Sequence, residues 1–536
     1  MSMRAQLTRE VRRSPEDALS PLVLADYLER EGDKRADYLR WSYTAARSEH
    51  EDERAQGRDN LRSLLEAHEP EWSMPLPGNA NWWCWSVTGI DALEMPASAK
   101  LEPETVFAQH PVHDLALSDL QGGLPPDWQG WTGELSAFRL RSGAIGDMGL
   151  SRIIAAGEWP WLQRLELRAS GAGPSATLEL SKRGILDKLR SLDLSWSPAW
   201  GDRSLAHLCE HGAPEMVALN IGHSNITAQG IAPLLAGDPF PKLEHLALAT
   251  TSATWRFATS GLAAMSAALS TAPILPRLAS LDLSGWKLGP DAWSDLASSG
   301  LASNLTELAL ARCSLGTDGT AILREGHALS GVRRINVSFN GLAPFAVRLL
   351  ANSPMAQSLE ELDLAGNQFL DKGLYELLDS PLIDRPVRLG LRANGIGEQG
   401  VKALANLPTG RILGLGLGEN PVPGAALAKL LSSPALSEIR YLDIAHLPAE
   451  LPVVDALAKA ETPASLEALR IDSNLLRAFL ARKRLWIPPS ARWLVEGTPD
   501  RDLLAALFKL GAHEVWFEPD APLLRRFRKS GALPAA

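Results

Sequence analysis

Along this chain, one short leucine pattern returns every 27 residues. Leu162-Gln-Arg-Leu165-Glu-Leu167 comes back as Leu189-Arg-Ser-Leu192-Asp-Leu194, as Met216-Val-Ala-Leu219-Asn-Ile221 and as Leu243-Glu-His-Leu246-Ala-Leu248. After a longer interval of 35 residues it resumes at Leu278, Leu305, Val332 and Leu359. It continues at Pro386, Ile412, Ile439 and Leu466, with degenerate copies at Ile90, Val112 and Leu135. A fixed period in this range marks a solenoid of stacked units, because no single unit can bury its own apolar face. Such arrays present a long surface, and contact by that surface is their usual work.

Each unit has a second half. An apolar residue stands ten places after the first leucine, as at Ile226, Leu342 and Phe369. Gly230, Gly319, Gly373 and Gly400 stand fourteen places after it, and apolar residues follow at helical spacing, as at Ile231, Leu234 and Leu235. Each unit therefore reads as a short strand, a turn and a helix. Eight places after the first leucine stand Asn340, Asn367, Asn394, Asn420 and Asn474. There a buried amide is expected to satisfy backbone groups of the next unit. Cys313 fills that slot in one unit, Ser170, Ser197 and Ser224 in others, and Trp286 departs from it. From residue 87 to 475 this pattern resembles the ribonuclease-inhibitor-like type of leucine-rich repeat. The resemblance implies an α/β horseshoe solenoid, with parallel strands on the concave face and helices on the convex face. The 35-residue interval predicts a bulge near Thr251 to Ser260.

The ends differ from the array. Ser14-Pro-Glu-Asp17 reads as a helix start, and Gly32 separates that helix from a second one beginning near Arg35. The first 45 residues, above all Ala25-Asp-Tyr-Leu-Glu-Arg-Glu-Gly-Asp33, resemble the short repeat-companion domain that precedes leucine-rich repeats in bacterial proteins. The resemblance implies a bacterial protein with a small helical N-terminal domain and transfers no activity. We read residues 1–70 as that domain and 71–134 as a Trp-rich cap with degenerate repeats. Residues 135–475 are then the array and 476–536 a C-terminal cap. Trp72, Trp128 and Trp131 suit the covering of an apolar end, and the Trp82-Trp83-Cys84-Trp85 run leaves a ligand-stacking alternative. Residues 476–536 hold 11 Lys and Arg against 6 Asp and Glu, with a basic cluster at Arg525-Arg-Phe-Arg-Lys529.

Composition narrows the function. Net charge is −10, which disfavours nucleic acid as a partner, since phosphate binding needs a basic face. No apolar run follows the N-terminal charges, and none is long enough to span a bilayer, so neither a secretory signal nor a membrane partner is expected. Cys84, Cys209 and Cys313 lie far apart, with no metal-ligand or disulfide spacing, which suits a cytoplasmic protein. Phosphate loops, H-E-x-x-H and G-x-S-x-G are missing from the sequence. Gly414-Leu-Gly-Leu-Gly418 has the wrong spacing for a dinucleotide loop, and Gly222-His223-Ser224 falls on a repeat turn. Neither a cofactor nor a metal is implied. Bacterial leucine-rich-repeat ubiquitin ligases need a cysteine beyond the repeats, and none follows Cys313.

Residues two and four places after each first leucine point away from the core. We therefore expect a concave docking face built from Glu166, Asp193, Asp282, Glu307, Arg334, Asp363, Arg388, Gly390, Arg392, Gly414, Gly416 and Tyr441. Its centre reads as acidic, fit for a basic segment, beside a bare glycine strip that another chain could approach closely. Trp196 and Phe339 read as edge anchors. The same residues could instead only solvate the strands and satisfy nearby backbone. The resulting expectation is a non-enzymatic scaffold that binds another protein. The alternatives are a sensor or regulatory subunit acting on a separate effector chain, and a GTPase-activating regulator, since Ran GTPase-activating proteins carry the same repeat type.

Overall fold

The computed structural model describes residues 3–13, 19–48, 82–86, 89–99, 101–110, 112–117, 123–140, 145–250, 272–287, 304–325, 329–448, 450–459, 465–481, 491–497, 501–509, 514–518 and 525–528, with isolated positions between them. These residues fall into two compact units. The first comprises those up to Trp200 with Glu210–Met216, the second Gly201–Cys209 with those from Val217 onward. The expected bulge at Thr251 to Ser260 lies outside the described residues.

In the first unit, helices Met3–Arg13, Ser20–Arg30 and Arg35–Arg47 gather around Val11, Leu24, Leu28, Tyr38, Leu39 and Trp72. The helix expected from Ser14 begins instead at Ser20. Asp17 accepts hydrogen bonds from the Leu19 and Ser20 N–H groups at 3.0 and 3.3 Å, while Ser14, Pro15 and Glu16 lie outside the described residues. Strand β1 (Trp82–Ser86) runs antiparallel to β2 (Gly89–Met95). Then β3 (Asp114–Leu117), β4 (Ala137–Leu140), β5 (Arg164–Glu166) and β6 (Ser191–Asp193) follow in parallel. Trp128 and Trp131 are buried, the first edge-on to Phe138 and Trp159, the second edge-on to Phe107. Large rings thus fill the core where the repeats are degenerate. The side chains of the Trp82–Trp85 run lie outside the described residues.

The second unit stacks β7 (Ala218–Asn220), β8 (His245–Ala247), β9 (Ser280–Asp282), β10 (Glu307–Ala309), β11 (Arg334–Asn336) and β12 (Glu361–Asp363). It continues with β13 (Val387–Gly390), β14 (Ile412–Gly416), β15 (Tyr441–Asp443), β16 (Ala468–Asp472), β17 (Arg492–Glu496), β18 (Glu514–Glu518) and β19 (Arg525–Arg528), all parallel except the β18–β19 pair. Equivalent places pair directly, so Leu281, Leu308, Ile335, Leu362 and Leu389 form one buried row. Helices such as Pro344–Ala351, Leu370–Leu378 and Glu398–Ala405 return the chain between strands. Within each unit the fold is an α/β leucine-rich-repeat solenoid.

One place differs from the expected register. Pro386 is exposed, and Val387 takes the core slot and pairs with Ile412. Only 26 residues separate Leu389 from Leu415, and a shift between Val387 and Arg388 absorbs the missing one.

The turns explain the asparagines. Seven places after the first leucine the backbone enters the left-handed region, at Ala169, Trp196, His223, Arg312, Phe339, Ala393, Glu419 and His446, and at Gly285 and Gly366. After Phe339, Gly366, Ala393 and Glu419 the next residue is a buried Asn. Asn367 Oδ1 accepts from the Asn340 and Leu342 N–H groups at 2.9 and 3.1 Å, and its Nδ2 donates to the Val337 carbonyl at 3.1 Å. Asn340, Asn394 and Asn420 repeat the arrangement. Each amide thus serves the preceding unit, not the next. Cys313 Sγ and Trp286 Nε1 donate to the corresponding carbonyls, Leu283 and Leu248, at 3.2 and 2.7 Å, so they keep the donor half of the amide's role. Asn474 does not belong to the series. It is exposed, and the buried Asp472 instead accepts from the His446 N–H at 2.7 Å while capping helix Ser473–Leu480.

Candidate partner-binding face

The outward row four places after each first leucine has a structural duty. Asp282, Asn336, Asp363 and Asp443 each accept on Oδ1 the N–H two residues on, at 2.8–3.0 Å. Asp193 does the same in the first unit, at 2.8 Å. These bonds fix the turn out of each strand, so part of what the sequence suggests as a docking row is backbone satisfaction.

Beyond that duty, strands β12 to β16 of the second unit form an open hollow of about 330 Å3. It brings together Asp363, Arg388, Gly390, Arg392, Gly414, Gly416 and Tyr441 from the expected set and adds Glu361, Asp443 and Arg470. The glycine strip is not uniformly bare. A Cβ on Gly390 would stand 2.5 Å from Asp363 Oδ1, and one on Gly414 would stand 3.0 Å from Arg388 Cγ. A Cβ on Gly416 would stand 3.6 Å from Gly390 Cα, an ordinary contact, so of the three only Gly416 would take a methyl group without moving a neighbour.

The centre is not simply acidic. Three carboxylates and three guanidiniums line it, and the arginines are engaged. Arg392 donates to Glu419 Oε1 at 2.6 Å and to Glu496 Oε2 at 3.1 Å, and lies 3.8 Å from Asp443. Arg470 lies 3.4 Å from both Asp443 and Glu496, and His446 Nε2 stands 3.2 Å from Glu496. Arg388 reaches Glu361 at 4.0 Å. Desolvation opposes the charge on Arg392, yet the bonds to Glu496 and Glu419 outweigh it and raise its pKa. Glu496 is also partly desolvated, but Arg392, Arg470 and His446 hold it below the usual carboxylate range. Burial raises the Asp443 carboxyl although Arg470 and Arg392 oppose the rise. Burial raises Asp363 as well, against the Ala365 N–H and with Glu361 and Asp443 adding to it.

The other expected residues lie outside the hollow. Glu307 pairs with Arg334 one strand over, and Asp282 is on β9. Glu166 belongs to the first unit, 3.7 Å from Arg139. Trp196 of the first unit and Phe339 of the second are exposed, both on left-handed turns. Phe339 carries Arg312 over its ring at 4.0 Å and fills the space where Gly366 would bear a Cβ. Sequence reasoning missed Glu496, because the repeat pattern has decayed there and the residue cannot be numbered into it. Asp443 and Arg470 were visible in the outward row, but their pairing across strands was not. Cys313 is buried in its turn, and burial pushes its thiol up to about 12, which makes it unreactive.

The stacked units define a leucine-rich-repeat protein. A family model described as Leucine Rich repeat matches residues 356–378, across β12 and the helix after it. Among solved structures, the yeast Rad7 and Elc1 complex is similar at 13% identity and a TM-score of 0.38, over 84% of this chain and 90% of that one. A TLR13–ssRNA13 complex is similar at 17% identity and a TM-score of 0.37, over 72% of this chain and 56% of that one. An internalin, InlF, from Listeria monocytogenes is similar at 12% identity and a TM-score of 0.25, over 83% and 92%. No curated protein matches the sequence. Among the described residues, no group of three or more His, Cys, Asp or Glu is placed to hold a metal ion. No described helix is long and apolar enough to cross a membrane.

Proposed function

We propose that this chain is a non-enzymatic scaffold that binds another protein on the strand face of its second unit, around the β12–β16 hollow. The observation that carries the reading is that hollow: floored by Gly390, Gly414 and Gly416 and lined by charges held in place by one another. Charges fixed in this way recognise a complementary surface without reorganising. A full helix in the repeats after β11, β12 and β13 supports the ribonuclease-inhibitor-like class. The resemblance of the first 45 residues supports a bacterial companion domain, and cysteine usage supports a cytoplasmic setting. Affinity purification from the native cell with mass spectrometry identifies the partner. Gly416→Trp should then abolish its capture, because the ring would fill the hollow sterically without changing charge. Asp363→Asn should slow association and flatten its salt dependence, since complementary charge steers encounter and salt screens it over about 8–10 Å. A partner captured equally by wild type and both variants would place binding elsewhere.

A further inference from the structure

On the hollow, every arginine has an acid within 4.0 Å, and Asp363 has no base that close among the described residues, Arg470 acting on it only from farther away. Arg392 and Arg470 face Asp443 and Glu496, and Arg388 faces Glu361. Asp363 accepts one hydrogen bond on Oδ1, from the Ala365 N–H, and among the described residues no Lys, Arg or His nitrogen stands within 4 Å of its carboxylate. The carboxylate leans into the space that a Gly390 side chain would fill, and the next strand pairs Gly416, which also has no side chain, with Gly390. A half-buried carboxylate without a close cation is costly, and a cation arriving from outside recovers part of that cost. Bare main chain beside it admits another main chain at close range.

We propose that the hollow receives a single Lys or Arg side chain, presented by an extended segment of the partner protein that crosses Gly390 and Gly416, with Asp363 as the residue that takes the charge. This rests on the reading of the hollow as the partner-binding face. Charge complementarity selects the occupant: the arginines are already neutralised, so an acidic segment would find no free base, whereas a basic one meets Asp363.

The test uses the full chain and a phage-displayed library of random heptapeptides. Selection on wild type should fix Lys or Arg at one position, enriched at least tenfold over Glu. A selected peptide, made synthetically, should lose at least tenfold in affinity when that residue is replaced by neutral citrulline. Asp363→Asn should cost the same factor, and the two changes together no more than either alone, the sign that they remove one interaction. Asn keeps the Oδ1 acceptor for the Ala365 N–H, as Asn336 does for Ser338, so the turn survives. Asp282→Asn, the same change in a distant strand, should leave affinity unaltered. A wild type that selects no peptide, peptides without a fixed base, or an affinity indifferent to Asp363→Asn overturns the proposal. If such charge-indifferent peptides are still blocked by Gly416→Trp, the docking face stands and only the cation falls. If they ignore Gly416→Trp as well, both fall.

Discussion

Asp363 carries a charge that the fold makes costly. Its folded pKa is raised by burial, beyond what the Ala365 N–H and Arg470 offset. The folded state therefore keeps the proton to higher pH than the unfolded chain, whose value lies near the ordinary 3.8. Stability contributed by this group falls as pH rises through that window. Asp363→Asn, which keeps the acceptor and drops the charge, should raise Tm at pH 7. The gain should shrink as pH falls to the ordinary carboxylate range, where both versions are neutral. Calorimetry across that range checks it, and a lower Tm for the variant at pH 7 would contradict it. Asn367→Ala tests the opposite case. It strands the buried Asn340 and Leu342 N–H groups, at about 1–3 kcal/mol for each donor left unsatisfied. Urea denaturation should show the loss, and a variant as stable as wild type would mean the amide is dispensable. Asn367 was legible in the sequence because its place recurs every unit. The isolation of Asp363 was not, because it depends on which neighbouring strand each arginine leans towards.

Between elements, the helices are capped from the preceding repeat. Asp147 accepts the Ser175 and Ala176 N–H groups at 2.8 Å, Asp202 accepts the Thr227 N–H at 2.8 Å, and Asp371 accepts the Gly397 N–H at 2.8 Å. The recurrent glycine fourteen places into the unit makes room for this. A Cβ on Gly400 would stand 2.4 Å from Asp371 Oδ1, and one on Gly230 would stand 2.0 Å from Asp202 Oδ1. Gly400→Ala should therefore displace the Asp371 carboxylate and cost about 1 kcal/mol, the usual worth of a helix cap. Gly416→Ala, whose Cβ would make only ordinary contacts of 3.6 Å and more, should stay within about 0.5 kcal/mol of wild type. Chemical denaturation of the two side by side separates them, and equal losses would refute the cap argument. Strand and helix positions followed from the apolar period. Pro386 and Asn474 were misplaced because each sits where a unit is locally shortened: a residue is missing before Leu415, and β16 runs straight into its helix.

At the scale of the whole molecule, the first unit ties its N-terminal helices to the repeats that follow. Helix Met3–Arg13 packs against helix Pro103–Gln109, and Arg9 meets Glu134 at 2.5 Å. Deleting residues 1–86 should expose that surface and give an aggregating or frayed product. A soluble truncation that unfolds cooperatively in sedimentation and melting experiments would instead make the N-terminal region a separate module. A last consequence lies in the direction of the amide series. Asn420 completes the turn at Asn394, Asn394 the turn at Asn367, and Asn367 the turn at Asn340. Losing the last of these turns strips the buried Asn394 and Ile396 N–H groups of their amide acceptor, whereas losing an earlier repeat strips other donors, such as the Glu361 N–H bonded to the Arg333 carbonyl and the Gly397 N–H bonded to Asp371. Each repeat is therefore keyed to its two neighbours by different groups, by its turn on one side and by the starts of its strand and helix on the other, so a new end created by truncation on either side needs its own cover.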